Sequence, residues 1–287
     1  MSTFSDLLKI KRNEYYFSEL QLCKEIVPFL GAGITSAFFP LWGEMLRSKF
    51  TLLNNEKKVV NELVDNGKYE EAASYLFNLN ETVFIDTIKN IFDDRHIDVS
   101  KFTPLIKALP NISSNLIITT NLDRTIEKSF EISGRTLKII TPDCEDQLND
   151  SINSNENYLI KLHGSVEEFS KYILTKEQYD AAYGIDSENH VDLSLPFPSN
   201  LGRIMAARTL LFIGSSLKND RPLHVLNAII SQFNDHVKHY AFLQLSDNED
   251  ENIRTERRLA DLGVRVIWFP ANEFSAIDLF ISNLKKK

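Results

Sequence analysis

Four short segments of this sequence combine glycine with small, polar or titratable residues, and each comes directly after an apolar run. They are GAGITS from Gly31, TTNLD from Thr119, HGS from His163 and GSS from Gly214. Glycine allows a tight turn and a close approach of the backbone to a ligand. Asparagine offers both a donor and an acceptor, and histidine transfers protons near neutral pH. Together the four segments predict a ligand site that carries a general base.

His163 is the candidate base of this site. It follows an apolar run and precedes Gly164, which leaves its ring open toward a ligand. The remaining histidines occur in helix-like or loop contexts, and they are His96, His190, His224, His236 and His239. A metal ion at His163 is not expected, because no second histidine or cysteine lies at ligand spacing.

The TTNLD segment suits a nucleotide. Asn121 can bind ribose hydroxyls or position a water molecule, and Thr119 and Thr120 precede it directly. Two alternatives are open for Asp123. It either accepts a hydrogen bond from a carboxamide, or it caps the helix that is predicted to begin near Arg124.

The glycine turn at Gly31 and Gly33 is compatible with a pyrophosphate, since the amides of a following helix can meet the phosphate oxygens. Two nucleotide-binding classes are nevertheless disfavoured. Ser36 stands where the dehydrogenase fingerprint needs its third glycine, and no acidic residue ends a strand about 20 residues later. The phosphate-loop pattern of the P-loop ATPases is also absent.

The segment after Gly214 does not form the GxSxG elbow of a serine hydrolase. Ser215 instead suits a hydrogen bond to ribose or phosphate. Ser216 either shares that role or caps the next helix.

Seven short apolar runs predict the strands that position these segments. They are residues 25–30, 115–118, 136–140, 158–162, 209–213, 240–245 and 264–269, of which 136–140 is the weakest. Helical stretches separate them, for example at 124–133, 222–233 and 252–262. This alternation predicts a Rossmann-like, doubly wound α/β fold with a parallel sheet. Ligands bind beyond the carboxyl ends of such strands, so the four segments are expected to meet there.

Residues 41–107 have a different pattern. They form successive amphipathic segments without a convincing strand, which predicts a helical insertion or small helical subdomain between the first two strands. Residues 145–157 are polar and turn-rich and are predicted to form a loop, and residues 183–200 are predicted to be irregular. No linker divides the chain, so we expect a single domain over residues 1–287.

Composition excludes several classes of protein. The formal net charge of −8 argues against bare nucleic acid as the main partner. With only two cysteines, 121 positions apart, neither a four-cysteine zinc ribbon nor a disulfide framework is expected. The first residues lack the features of a secretory signal, and no apolar run approaches the roughly 18 residues of a membrane span. We therefore expect a cytoplasmic protein.

In order and spacing, the motifs resemble those of the sirtuin superfamily. The matching motifs are GAGIT from Gly31, TTNLD from Thr119, KLHGS from Lys161 and FIGSSL from Phe212, within about residues 25–270. Residues 174–179 (LTKEQY) are similar to a bacterial sirtuin-like group found in antiphage defence. Three features depart from the deacylating sirtuins. No cysteine follows His163, Thr120 replaces a glutamine, and residues 37–42 lack a phenylalanine-arginine pair.

The resemblance implies hydrolysis of NAD⁺ to nicotinamide and ADP-ribose, without a metal, in a defence effector that depletes NAD⁺. It implies that His163 acts as general base toward a ribose hydroxyl or water, that Asn121 orients that group, and that Asp123 steadies the carboxamide. Further NAD⁺-binding residues are expected to be Gly31, Ala32, Gly33 and Thr35 at the pyrophosphate, Gly214, Ser215 and Ser216 toward the adenosine, and Thr119 and Thr120 beside Asn121.

Two other functions remain as alternatives. One is an NAD-dependent protein deacylase or ADP-ribosyltransferase. The other is a nucleotide-sensing or assembly subunit without activity, against which the presence of both Asn121 and His163 argues. An NAD⁺-depleting effector needs control, and no fused sensor domain is expected because the sequence ends soon after its last predicted strand. Control is expected from homo-oligomerisation, a ligand or a partner such as a HerA-like ATPase. The helical insertion either forms the oligomer surface or covers the active site.

Overall fold

A seven-stranded parallel sheet organises the computed structural model of this chain. The structure describes residues 2–113, 115–142, 156–167, 172–186, 190–218, 221–231 and 237–284. The strands are β1 (Ile26–Leu30), β2 (Leu116–Thr119), β3 (Lys138–Ile140), β4 (Tyr158–Lys161), β5 (Thr209–Ile213), β6 (His239–Gln244) and β7 (Val264–Phe269). Each predicted strand is present with its bounds shifted by no more than two residues, so the predicted Rossmann-like α/β fold is confirmed.

The sheet is doubly wound. Its strand order is β3-β4-β2-β1-β5-β6-β7, so β2, β3 and β4 lie on one side of β1 and β5, β6 and β7 lie on the other. The direction reverses between β1 and β5, and such a reversal opens the crevice in which parallel α/β sheets bind ligands.

The strands appear in the sequence as continuous apolar runs because their residues are buried. All residues of β1, β2 and β4 are buried. Successive side chains of a strand point to opposite faces of the sheet. Accordingly Val27 and Phe29 join one hydrophobic cluster, whereas Ile26 and Leu30 join another. The sheet is therefore covered on both faces, as the continuous runs predict.

The α-helices of the described residues lie between and beside these strands. They are α1 (Phe4–Leu8), α2 (Asn13–Leu22), α3 (Trp42–Ser48), α4 (Asn54–Asp65), α5 (Tyr69–Leu79), α6 (Glu81–Ile91), α7 (Pro104–Ile112), α8 (Thr125–Ile132), α9 (Lys176–Tyr183), α10 (Pro196–Ala207), α11 (Arg221–Ile230), α12 (Glu249–Asp261) and α13 (Ser275–Asn283). None of these helices is both long enough and apolar enough to cross a membrane.

Helices α3 to α6 follow β1 and pack around a hydrophobic cluster of their own, which includes Val60, Leu76 and Phe84. Leu122, from the segment after β2, and Leu174, from the segment before α9, belong to the same cluster. Helix α7 packs instead against α8 and α13. Helices α3 to α6 form a helical layer, and this layer shares its hydrophobic core with the loops at the carboxyl ends of the strands. A single domain with a helical insertion over about residues 41–107 stays a prediction.

The region predicted to be irregular, 183–200, ends earlier than expected, because α10 begins at Pro196. Proline has no N–H and a helix-compatible φ, so it fits the first turn of a helix. The two prolines of this region therefore start a helix rather than interrupt one. Of the loop predicted at 145–157, residues 145–155 lie outside the described residues.

Asn13 covers the outer edge of β7. Its side chain is fully buried. Its Oδ1 accepts from the Trp268 N–H at 2.8 Å, and its Nδ2 donates to the Trp268 carbonyl at 2.7 Å. The amide also donates to the carbonyl of Leu7 at 2.7 Å. One side chain thus makes the two hydrogen bonds that a neighbouring strand would make to Trp268.

Candidate active site

Strand register brings the predicted catalytic residues together. Thr119, the last residue of β2, pairs with Lys161, the last residue of β4. Asn121 and His163 each lie two residues beyond this pair. The Leu162 N–H donates to the Thr119 carbonyl at 2.9 Å, which continues the ladder past the strands. The two side chains therefore start from neighbouring positions at the carboxyl edge of the sheet.

The turns after β1 and β5 are in direct backbone contact. The Gly31 N–H donates to the Ile213 carbonyl at 2.9 Å, and the Gly33 N–H donates to the Gly214 carbonyl at 2.8 Å. A Cβ on Gly31 would lie 2.7 Å from the Gly214 oxygen. Gly214 itself has a φ of +73°, and a Cβ there would lie 2.7 Å from the Ile34 nitrogen. Glycine is required here because no side chain fits between the two turns.

This contact changes the expected role of the first glycine motif. The segment Ala32–Thr35 is a short 3₁₀-helix rather than the start of an α-helix. Since the amides of Gly31 and Gly33 already donate to the carbonyls of Ile213 and Gly214, they do not point free toward a phosphate. Contact of Gly31, Ala32 and Gly33 with NAD⁺ stays a prediction.

Asn121 is buried and held from two sides, with a relative exposure of 6%. Its backbone N–H donates to Thr119 Oγ1 at 3.0 Å, and its Nδ2 donates to Thr35 Oγ1 at 3.2 Å. Thr119 Oγ1 in turn donates to the Leu30 carbonyl at 2.9 Å. Asn121 Oδ1 is buried and has no hydrogen-bond partner within the described residues. The group that Asn121 offers to a ligand is therefore an oriented acceptor.

His163 is half-buried and neutral at physiological pH. Desolvation lowers the pKa of its imidazole from 6.5 to about 4, and a contact with the Thr120 backbone opposes that shift only in part. Nδ1 lies 3.1 Å from the hydroxyl of Tyr179. Nε2 is buried and has no hydrogen-bond partner in the described parts of the chain. A neutral imidazole with one unengaged nitrogen is suited to accept a proton.

Asp123 caps α8. Its Oδ1 accepts a hydrogen bond from the Thr125 N–H at 2.9 Å, and the residue is 2% exposed. This contact with the first N–H of the helix is of the kind that the capping alternative predicts. Contact with the carboxamide of a ligand stays a prediction.

A buried ion pair lies directly behind this segment. Lys161 is fully buried, and its Nζ lies 2.8 Å from Glu127 Oε1, on α8. The same Nζ donates to the carbonyls of Leu122 at 3.1 Å and Asp123 at 2.7 Å. Burial raises the pKa of the Glu127 carboxyl, and the Lys161 ammonium opposes that shift. The lysine thus fixes the backbone directly after Asn121.

The position of Lys161 within an apolar run already indicates a buried lysine with a charged partner, which the sequence analysis does not identify. A lysine in the middle of a buried run needs a partner, because an unpaired buried charge is strongly unfavourable. Tyr179 was missed as well. It lies in the 174–179 segment, but only the folded chain places its hydroxyl beside His163.

Ser215 and Ser216 follow Gly214 in the turn after β5. Ser215 is half-buried and Ser216 is exposed, and α11 is described from Arg221 onward. Their contact with the adenosine side of a nucleotide stays a prediction. His239, expected in a helix or loop, instead begins β6, where its Nδ1 accepts from the Leu210 N–H at 3.2 Å. Among the described residues, no three histidine, cysteine, aspartate or glutamate side chains are grouped to hold a metal ion.

Comparison with known proteins gives one family match. A family model described as the SIR2-like domain matches residues 115–267, a little over half of the chain. Those residues contain β2 to β6 and the first four residues of β7, with Asn121 and His163.

Curated relatives match over most of the chain. It is 24% identical to the NAD(+) hydrolase ThsA of Bacillus cereus (strain MSX-D12) over 262 residues, which are 90% of this chain and 48% of that protein. It is 26% identical over 229 residues to the NAD(+) hydrolase ThsA of Acinetobacter baumannii (strain 532279), with 77% and 43% covered. A third NAD(+) hydrolase ThsA, from Cytobacillus dafuensis, is 24% identical over 229 residues, with 78% and 42% covered. The chain spans less than half the length of these relatives.

Proposed function

The chain belongs to the SIR2-like domain family, and we propose that it hydrolyses NAD⁺ to nicotinamide and ADP-ribose. Three relatives that match it over 77–90% of its length are named NAD(+) hydrolases. The motifs that resemble sirtuins lie at the carboxyl edge of the sheet, beside the reversal between β1 and β5.

One observation carries this proposal. Asn121 Oδ1 and His163 Nε2 are buried polar atoms without a hydrogen-bond partner in the described structure. Each of the two residues follows the Thr119–Lys161 pair of β2 and β4 by two positions. A buried polar atom without a partner costs about 1–3 kcal/mol. A ligand that supplies hydrogen-bond donors to both atoms would remove that cost. A ribose with its hydroxyls, or a ribose with a water molecule, has that chemistry.

The reaction needs few protein groups. Cleavage of the bond between ribose C1′ and the nicotinamide nitrogen proceeds through an oxocarbenium-like state, as in glycoside hydrolysis. Nicotinamide leaves as a neutral molecule with the electron pair of that bond, so no general acid is required. Water oxygen forms the new bond to C1′, and the proton released goes to His163 Nε2. A contact with the Thr120 backbone raises the pKa of the imidazole and so offsets part of the effect of burial.

The hydrogen bonds of Asn121 determine which of its side-chain atoms can contact the substrate. Because Nδ2 donates to Thr35, the group left for the substrate is the Oδ1 acceptor. It therefore receives a hydrogen bond from a ribose hydroxyl or from the attacking water. Thr35 acts through Asn121 in this scheme, in addition to the predicted contact with the pyrophosphate.

The remaining assignments are part of the same proposal. The pyrophosphate lies along Gly31, Ala32 and Gly33, and the adenosine side contacts Gly214 and Ser215. Here the glycines serve mainly to keep side chains out of the crevice. The chain acts inside the cell as an oligomeric, tightly controlled effector of antiphage defence that depletes NAD⁺, as its resemblance to that group implies. Its control comes from self-assembly, a ligand or a partner such as a HerA-like ATPase.

The test is product analysis on the purified protein. Wild type is incubated with NAD⁺, and nicotinamide and ADP-ribose are quantified by chromatography. We expect the two products in equal amounts, and loss of about 10²–10⁴-fold in turnover for His163→Ala. Asn121→Ala is expected to lose turnover as well. His96→Ala, a change of an exposed histidine in the turn Asp94–His96, is the control and retains wild-type turnover.

Three other results would contradict this proposal. Turnover of NAD⁺ only in the presence of an acyl-lysine peptide or a protein acceptor would indicate the deacylase or ADP-ribosyltransferase alternative. NAD⁺ binding without turnover in every oligomeric state would indicate the sensing or assembly subunit. Turnover of His163→Ala within a few-fold of wild type would refute the assignment of the base.

A further inference from the structure

Helix α9 places one hydroxyl beside the base of the proposed reaction. We propose that Tyr179 is a positioning residue that keeps the imidazole proton of His163 on Nδ1, so that Nε2 retains its lone pair. This inference rests on the proposed function for its kinetic consequence, but the state of the ring is measurable without any substrate.

The contact between the two rings is specific. The Tyr179 hydroxyl lies 3.1 Å from Nδ1, and the rings meet edge to face with centroids 4.9 Å apart and an interplanar angle of 83°. A neutral imidazole has one N–H and one lone pair. When the N–H is on Nδ1, the phenol oxygen accepts it. Nε2, which has no partner within the described residues, is then the nitrogen that can take a proton.

Local structure fixes where Tyr179 lies on its helix. Thr175 caps α9 with a capping box, in which its side chain accepts from the Gln178 N–H and Gln178 in turn bonds the Thr175 N–H. Gly184 ends the helix in the left-handed conformation. Tyr179 has a relative exposure of 8%. Because both ends of α9 are fixed, the phenol has little freedom to leave the imidazole.

Arg221 lies over the ring of Tyr179. Its guanidinium carbon lies 5.9 Å from the centre of the tyrosine ring. Its Nε donates to Glu70 Oε1 at 2.8 Å, and a terminal nitrogen lies 3.0 Å from Asp180 Oδ1. Glu70 is on α5 and Asp180 is on α9. One arginine therefore connects the helical layer, the helix of Tyr179 and the tyrosine ring itself.

A second contact fastens α9 to α5. The Ser74 hydroxyl donates to Glu177 Oε2 at 2.7 Å and accepts from the Lys176 N–H at 2.9 Å. The two helices are thus joined at the first turn of α9 as well as at Arg221. The helical layer between β1 and β2 therefore determines the position of Tyr179, and through it the orientation of His163.

The experiment compares Tyr179→Phe with wild type and with Tyr183→Phe. The first change removes the hydroxyl and keeps the ring. The control removes a hydroxyl one turn further along the same helix, from a ring that packs on Tyr179 and Phe197. The protonation of each ring nitrogen is read from two-bond ¹⁵N–¹H correlation spectra of the substrate-free protein at pH 7. Turnover of NAD⁺ and its KM are measured in parallel.

We expect His163 of wild type and of Tyr183→Phe to be protonated at Nδ1. In Tyr179→Phe, the signals shift toward a mixture of the two neutral forms. Because a positioned base contributes about 10²–10⁴-fold, partial loss of its orientation is expected to lower kcat about tenfold. The KM for NAD⁺ is expected to stay within about twofold, since the tyrosine acts through the base and not through binding.

The outcomes separate this inference from the proposed function. A wild-type spectrum with the proton on Nε2 refutes the role of Tyr179 even if NAD⁺ is hydrolysed, and this reading needs no variant to fold. An unchanged spectrum or an unchanged kcat in Tyr179→Phe refutes it as well. If wild type does not turn over NAD⁺, the proposed reaction fails, and the spectra alone decide whether Tyr179 sets the state of the ring.

Discussion

Asn121 and His163 occupy equivalent positions just past the ends of neighbouring strands, each two residues beyond the Thr119–Lys161 pair. Adjacent strands lie about 4.8 Å apart. The separation of the two starting points is therefore set by the sheet and not by long loops. A shift of one residue between β2 and β4 would turn one of the two side chains toward the opposite face.

The depressed pKa of His163 predicts activity at acidic pH. The base acts only when it is unprotonated, and burial keeps it so until the pH falls to about 4. Between pH 7 and 5.5, kcat/KM is therefore expected to change by less than about twofold, because kcat/KM reports the free enzyme. Initial rates across pH 4–8 provide the measurement. A decline centred near 6.5, the ordinary value for histidine, would contradict the assignment.

The contact between Gly214 and the turn after β1 predicts a severe effect of a single methyl group. Gly214→Ala adds backbone strain at a φ of +73° and a Cβ 2.7 Å from the Ile34 nitrogen. Gly134→Ala is the matched control, since Gly134 has a φ of +71° and no atom within 4 Å of its added Cβ. Both variants lose roughly 1–2 kcal/mol from the left-handed conformation. Only Gly214→Ala is expected to weaken NAD⁺ binding, by about tenfold or more in calorimetric titrations.

The buried Lys161–Glu127 pair predicts a large loss of stability when one partner is removed. Lys161→Met leaves the Glu127 carboxyl buried without its cation and is expected to lower the free energy of unfolding by about 3–5 kcal/mol. Lys128→Met is the control. It breaks the exposed pair with Glu131 at 3.2 Å, which is expected to contribute no more than about 1 kcal/mol. Urea unfolding followed by circular dichroism compares the two, and equal losses would argue against a role of burial.

The capping contact of Asp123 predicts that its substitutions separate stability from activity. Asp123→Ala removes the acceptor for the Thr125 N–H and is expected to cost about 0.5–2 kcal/mol. Asp123→Asn keeps an acceptor oxygen and is expected to stay near wild type in thermal unfolding. If Asp123→Asn unfolds like wild type but its KM for NAD⁺ rises, then the side chain also contacts the substrate. Wild-type stability of Asp123→Ala would show that the cap is unimportant.

The Glu70–Arg221 contact predicts that a residue of the helical layer affects catalysis. Glu70→Gln weakens a charge-assisted hydrogen bond, a type worth about 1.5–3 kcal/mol. Arg221 and Tyr179 are then held less firmly, and kcat is expected to fall about threefold or more while the KM for NAD⁺ stays similar. Glu71→Gln, on the next residue, leaves this contact in place and is the control. Identical kcat values for both variants would show that the helical layer does not affect the orientation of His163.

Much of the fold was predictable because the strands are buried on both faces and stand out as apolar runs. The neighbouring positions of Asn121 and His163 were predictable for the same reason, because both residues follow such runs directly and parallel strands align their carboxyl ends. The start of α10 was not recognised because Pro196 and Pro198 suggested an irregular segment. In the structure they lie in the first turn of a helix, where a missing N–H costs nothing.

Contacts between distant segments were less accessible from the sequence. Tyr179 meets His163 only because α9 is fastened to α5, which lies about a hundred residues earlier in the chain. Lys161 and Glu127 find each other across β4 and α8. Lys161 and Tyr179 both lie in recognisable motifs, but those motifs do not show which distant residue each side chain contacts. A buried charge or ring nitrogen needs a partner, but only the folded chain shows which residue provides it.

Asn13 has a consequence for how copies of this chain can associate. By pairing with both the N–H and the carbonyl of Trp268, it occupies the position that an incoming strand would need on the outer side of β7. Unprotected edges of this kind are where sheets of separate molecules join and aggregate. Continuous growth of the sheet through Trp268 would first require removal of a fully buried amide from three hydrogen bonds. Self-association at this edge is therefore directed away from strand pairing and toward contacts between side chains.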